Sequence, residues 1–565
     1  MDRRSFLSLS FQDVLTEPGY GESASLSASG LTPYSGQWTD KEVKHLLRRT
    51  QFGAPKAEIA YFRSLGCSAS VDTLLERINH PAYTPPAPPV NHYYNDAQDP
   101  LVGPEQPWPG TADTEGPGNI SIRRREGLKA WWVGLMINQP RSLREKMTLF
   151  WYNHFVIEMR VVSQSTFCYN YLQMLRANAL GNFKTLSREV TISAAMLNYL
   201  NGDSSTASAP NENYARELQE LFTIGKDANG QSLYTEDDVV AAARVLTGWT
   251  NDLVNGVSAN GYLSVFDPAR HDTGSKTFSS FYSNRVITGR AGASGAQEVD
   301  DLLDMIFARN DVALFICRKL YRFFVYYKID ATTETNVIQP LAAILRQNNY
   351  DISAALSTLF KSEHFFDMLS QGCVIKPPID FVVGLCRDFN ANLPATATVP
   401  SKYAFWSSIV DQAGRMQQDI GDPPSVAGWP MYYQAPMFHE MWINTDTLPR
   451  RNKVSDEMAG NAQTTGGLGV NIDVVGYTAT MNNPSDPVAL IDEVLRLHYF
   501  FDASPSVINY LLNILLSGQS QTYYWSDAWD NYMNDPTNPT YYGTVKSRLQ
   551  TFYRYIMDLS EYQLS

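Results

Sequence analysis

The 565-residue sequence is short of cysteine, of net positive charge and of long apolar runs, and each shortage removes a class of protein. Its five cysteines, Cys67, Cys168, Cys317, Cys373 and Cys386, are scattered, and no two stand at CxxC spacing. An odd count cannot pair completely, so a zinc-finger or disulfide scaffold is unsupported. Cys317 and Cys386 lie in apolar runs, where a small buried thiol is the expected state. With 45 Lys and Arg against 58 Asp and Glu, the formal charge is −13. Nucleic-acid binding draws on clustered cations that release counterions, so no nucleic-acid partner is expected. No stretch approaches about 18 uninterrupted apolar residues, and no membrane span is expected. HExxH, GxSxG, GxxxxGK[ST] and a Rossmann GxGxxG are all missing, and a Glu-x-x-His pair occurs once, at Glu42 and His45, without the second pair that a di-iron bundle needs. Standard zincin, serine-hydrolase, NTPase, dehydrogenase and ferritin-like di-iron chemistries are therefore disfavoured.

What is present is core material: 44% of residues are hydrophobic and 12% aromatic, enough apolar surface to offset the ordering entropy of a globular chain. The chain opens MDRRSFLSLSF, which matches the start of a twin-arginine export signal, but Gln12, Asp13 and Glu17 interrupt the apolar region such a signal needs. A degenerate export signal and a chance basic start both remain open. Residues 1–38 read as an extended arm, 39–456 as a helical core with Pro/Gly-rich insertions at 80–120 and 250–297, 457–486 as a mobile loop, and 487–565 as a helical segment packed on the core. Ser142 and Glu145 predict a capping box, and Leu143, Met147, Phe150, Trp151 and His154 share one helical face, which points His154 inward. Over 211–225, Tyr214, Leu218, Leu221 and Phe222 form one stripe, with Gly225 as the stop. Thr235 opens a further helix, with acids in its first turn. The fold class expected is mainly α, a large multi-helix array with long ordered loops and little strand.

The strings HLLRRTQFGAP (45–55), LREKMTLFWYNHF (143–155), NENYARELQELFTIG (211–225), YTEDDVVAAARVLTGW (234–249), RHDTGSKTF (270–278), FICRKLYRFFV (315–325), KPPIDFVVGLCR (376–387), IGDPPSVAGWPMYY (420–433) and WINTDTLPRRN (442–452) together resemble the bacterial domain of unknown function 1800 family. The resemblance implies a large, mainly helical protein, often exported, hence periplasmic, cell-surface or extracellular; a cytoplasmic location stays open because the twin-arginine-like start lacks its apolar region. It also implies a possible partner in the companion domain of unknown function 1501 family, which itself resembles the alkaline phosphatase/sulfatase fold. The chain departs from the family pattern after Lys276, where a Leu-Gly step is missing, and at Arg309-Asn310, which replaces a customary His-Pro.

Two polar clusters are the candidate site. The first joins Asn153 and His154 to Glu212, Asn213, Arg216, Glu217 and Glu220; its alternative is a buried network in which Arg216 neutralises Glu212. The second is His271-Asp272 with Lys276; its alternative is an Asx-type turn with a solvated lysine. If the two converge, His154, Glu217, His271 and Asp272 form a two-His, two-carboxylate set for a divalent metal ion and carry catalysis, with Asn153, Asn213, Arg216, Lys276 and Trp249 as binding groups. A third cluster, around Trp429, Trp442 and Arg450-Arg451, suits sugar or peptide ligands but more often anchors coil to a core. His45 with Arg48 and Arg49 reads as a structural element rather than an anion site. The expected function is a helical scaffold of the cell envelope with a polar pocket, performing metal-assisted hydrolysis or oxidation; the rival is a non-catalytic structural protein that assembles with a partner through its aromatic C-terminal half.

Overall fold

The computed structural model describes residues 30–78, 81–114, 119–227, 230–254, 257–460 and 469–565, so the arginine pair at the start and most of the N-terminal arm lie outside the described residues. Among the described residues helices dominate, and the strands are three two-stranded antiparallel ribbons within 249–287: Trp249–Asn251 with Ser264–Phe266, Leu253–Val254 with Val257–Ser258, and Lys276–Thr277 with Val286–Ile287. One hydrophobic cluster runs from Val43 to Tyr562 and ties the first described helix to the last turns of the chain. Among the described residues no helix is long and apolar enough to cross a membrane.

Local chemistry sets several boundaries. Thr39 caps the Asp40–Thr50 helix in a capping box with Glu42, and Thr235 does the same with Asp238 for Glu236–Val245. The box expected at Ser142 and Glu145 does not form. Leu143 is the N-cap of Arg144–His154, the Ser142 hydroxyl donates to Glu76, and Glu145 is drawn away to Arg176, a stronger charge-assisted partner. The helical stretches 298–328 and 335–362 are each divided, into Glu298–Phe307 and Asn310–Phe324, and into Gln339–Gln347 and Ile352–Phe360, with a π-helical turn, Glu334–Ile338, before the second pair. In the stretch read as a mobile loop, residues 461–468 lie outside the described set, whereas Val474–Ala479 is helical, with Val474 and Val475 buried. Trp429 and Trp442 are buried, so these rings anchor coil to the core and offer no ligand platform.

The 211–225 segment is helical as its stripe predicts, but Leu218–Thr223 widens into a π-helix. Gly225 ends it at φ +79°, where a Cβ would stand 2.5 Å from the Phe315 ring. Carbonyls near the end of such a turn lack helical partners, and here they are used by side chains from other helices.

Candidate functional site

The first polar cluster centres on His154. Its Nε2 lies 3.0 Å from the Phe222 carbonyl and its Nδ1 3.1 Å from Lys319 Nζ, an arrangement met by a neutral ring that donates from Nε2 and accepts at Nδ1. Burial, reinforced by Lys319, holds this imidazole well below its usual range. Lys319 also donates to the Leu221 carbonyl (3.2 Å) and sits over the Phe315 and Tyr433 rings at 4.8 and 5.0 Å. Burial, with Arg322 nearby, pushes its amine down to about 7. Asn153 turns the other way: its Oδ1 accepts from the Trp429 amide at 2.7 Å. The acidic face of 211–225 does not reach the imidazole. Arg216 pairs with Glu236 (2.7 Å) and more loosely with Glu212 (3.5 Å), Glu220 pairs with Lys226 (2.6 Å), and Asn213 is exposed. Glu217 stands outside these pairs, with its carboxyl raised by burial and by Glu220.

The second cluster is a separate buried network. His271 Nδ1 lies 2.8 Å from the Thr247 carbonyl, and its Nε2 faces Glu298 Oε1 at 3.1 Å. Lys276 is fully buried, paired with Glu298 at 2.6 Å, and this overturns the solvated-lysine alternative. Asp272 accepts from the Gly274 amide in an Asx-type turn, and its ion pair with Arg244 (2.7 Å) holds its carboxyl below the usual range against the opposing effect of burial. Trp249 stacks edge-on against Phe266, which also contacts His271. The two histidines thus have separate partners. Among the described residues no three His, Cys, Asp or Glu side chains are grouped so as to hold a metal ion.

A larger hollow lies elsewhere. A cleft of about 1260 Å³ opens between the start of the Lys56–Leu65 helix, the Pro81–Pro86 stretch, the 135–145 turn and the end of the Pro378–Asp388 helix. Three of its arginines are paired with carboxylates. Arg141 grips Glu58 through two nitrogens (2.8 and 3.0 Å) and stacks on Tyr61. Arg144 grips Glu76, donates to the Arg176 and Ala177 carbonyls and stacks on Tyr83 at 4.0 Å. Arg176 holds Glu145 at 2.7 and 3.1 Å. At φ +97°, Gly53 brings its backbone against Asp388, whose Oδ1 accepts from the Ala54 amide, and a Cβ there would meet that oxygen at 2.6 Å.

The polar floor of the cleft is incomplete. Gln139 is 8% exposed, yet neither its amide nitrogen nor its amide oxygen has a partner. Beside it, Arg387 donates to the Ile137 carbonyl at 2.8 Å and leaves its Nε unpartnered. Gln51 lies behind both, between Arg387 and the Pro140 carbonyl. Buried polar groups in native structures are almost always paired, so two such groups side by side set this part of the cleft apart. Sequence reasoning missed Gln139, Arg387, Lys319 and Glu298. The sole signal for Gln139 was its place in Asn138-Gln139-Pro140 between two helices, which reads as a plain turn.

A family model described as "Protein of unknown function (DUF1800)" matches residues 45–564, nearly the whole chain and well past residue 452. No curated protein and no solved structure matches the chain.

Proposed function

Because the chain belongs to the DUF1800 family of proteins of unknown function, we propose on the chemistry of its own cleft that it is a binding scaffold that takes an extended polypeptide segment of a partner protein between the Lys56–Leu65 helix and the Pro81–Pro86 wall. The carrying observation is the buried, unpartnered Gln139 amide. One donor and one acceptor on a planar group are the complement of a single peptide unit, and the neighbouring Arg387 Nε adds a further donor for a carbonyl. A sugar is less well served. The carboxylates that would accept its hydroxyl groups are held by arginines, and one face of Tyr83 is already covered by Arg144. At about 1260 Å³ the cleft also exceeds the roughly 300–1,000 Å³ of small-molecule pockets. Donor geometry favours this reading over metal-assisted hydrolysis or oxidation, since His154 and His271 are committed to separate networks.

The test is selection of peptides from a randomised display library on the purified full chain, repeated with Ala57→Trp and Ala60→Trp. Both alanines are exposed on the cleft wall, so the added indoles fill the cleft without entering the core. Enrichment on the wild-type chain that both variants abolish supports the reading; enrichment indifferent to them, or none, defeats it. The companion family supplies the first natural partner to try in co-purification, and fractionation of cells tests the envelope setting that the resemblance implies.

A further inference from the structure

The contact between His154 and Lys319 has the make-up of an activated nucleophile. Lys319 Nζ lies 3.1 Å from His154 Nδ1, and Nε2 of the same ring is held at 3.0 Å by the Phe222 carbonyl. A nucleophile, a base within hydrogen-bond reach and a third group that orients the base form the arrangement by which weak nucleophiles are activated. A second N–H of Lys319 goes to the Leu221 carbonyl at 3.2 Å. Both hydrogens of a neutral amine are thereby placed, and the position left over carries its lone pair.

The surroundings favour that neutral form. Among the described residues no carboxylate pairs with Lys319, or with Arg322 one turn further along the Asn310–Phe324 helix, whereas Arg318 holds Glu334 at 2.5 Å. The Phe315 and Tyr433 rings flank the amine. An apolar setting beside a second cation keeps a lysine unprotonated and nucleophilic. Phe315, Lys319, Arg322 and Tyr433 are each half-buried, so the amine lies one side chain beneath the surface. The wide cleft is lined by other residues, and a molecule that passes between these packed rings must be small and uncharged.

We infer that Lys319 takes up carbon dioxide covalently as a carbamate, with His154 as the base and Arg322 as counter-charge to the product. The amine lone pair forms the N–C bond to the carbon of carbon dioxide, and one C=O electron pair moves onto oxygen. The proton lost from nitrogen goes to His154 Nδ1, and the remaining N–H stays on the Leu221 carbonyl. Carbamate and imidazolium are the products, and nothing is oxidised or reduced. Burial alone disfavours the imidazolium, and the adjoining carbamate supplies the opposite charge that offsets this. Condensation with an aldehyde would instead leave an iminium cation beside Arg322, with no anion to balance it.

The experiment is carbon-13 NMR of the full-length chain equilibrated with labelled bicarbonate and carbon dioxide at constant pH. The α-amino group gives a carbamate resonance in the folded and the urea-unfolded chain alike. A further carbamate resonance, present in the folded wild type and lost in urea, is expected from Lys319. It is expected to vanish in Lys319→Met, with folding checked by near-ultraviolet circular dichroism. Absence of the further resonance, its survival in urea, or its survival in a folded Lys319→Met chain overturns the inference. Should Lys319→Met fail to fold, Arg322→Gln decides, since it leaves the amine in place: a loss of most of the resonance supports the inference, and an unchanged intensity overturns it.

Discussion

Replacing Gln139 by leucine separates folding from binding, because the two are expected to move in opposite directions. The amide is 8% exposed and has no protein partner at either atom. An unpaired buried amide costs about 1–3 kcal/mol, and leucine has nearly the same volume without polar atoms. The ligand-free Gln139→Leu chain is therefore expected to be more stable than wild type by about 1–3 kcal/mol, read as a higher urea midpoint by tryptophan fluorescence. A peptide bound through that amide loses two hydrogen bonds worth about 0.5–1.5 kcal/mol each, so its Kd weakens roughly 5- to 150-fold. Fluorescence anisotropy of a labelled, library-selected peptide measures this directly. A variant that is less stable yet binds with unchanged affinity refutes the reasoning, since Gln139 would then serve the fold and not the ligand.

Three further outcomes follow from the buried charges. Lys276 and Glu298 are both fully buried, so Glu298→Gln is expected to cost about 3–5 kcal/mol by leaving an unpaired ammonium, and adding Lys276→Met to recover most of it, both read from urea midpoints. For Lys319 the folded chain lacks a proton that the unfolded chain holds between about pH 7 and 10.5, so its contribution to stability rises with pH across that window; the urea midpoint of wild type minus that of Lys319→Met should increase over the same range, and a flat difference contradicts the assignment. Arg144→Gln removes the grip on Glu76 and the stacking on Tyr83, and is expected to destabilise by about 1.5–3 kcal/mol and to quicken limited proteolysis within the Pro81–Pro86 wall.

The helical architecture was legible because apolar periodicity and caps are local signals. Thr39, Thr235 and Gly225 all stand at element ends. Where a local signal failed, a distant partner had outbid it: Ser142 and Glu145 match a capping box in spacing, yet Glu76 and Arg176, far off in sequence, claim both side chains. The inward direction of His154 could be read from its helical face, but its partner Lys319 lies 165 positions away, between Arg318 and Arg322 on a helix that gives no local sign of which cation turns inward. Glu298 was hidden in the same way, as one acid among several at a helix start. The cleft was illegible for a further reason: it is a space between chain segments far apart in sequence, and its unpaired amide is defined by what fails to reach it.

The wide turn at Leu218–Thr223 accommodates one residue more than the ordinary helical ladder, so everything after it is set back by one step. Deleting a single residue within 219–220 would let the ladder close in its usual form and swing the following backbone by about 100°. The oxygens of Leu221 and Phe222 would then turn away from the amine and the imidazole they now hold. A lone codon's worth of length thus determines whether three helices are laced together at this junction.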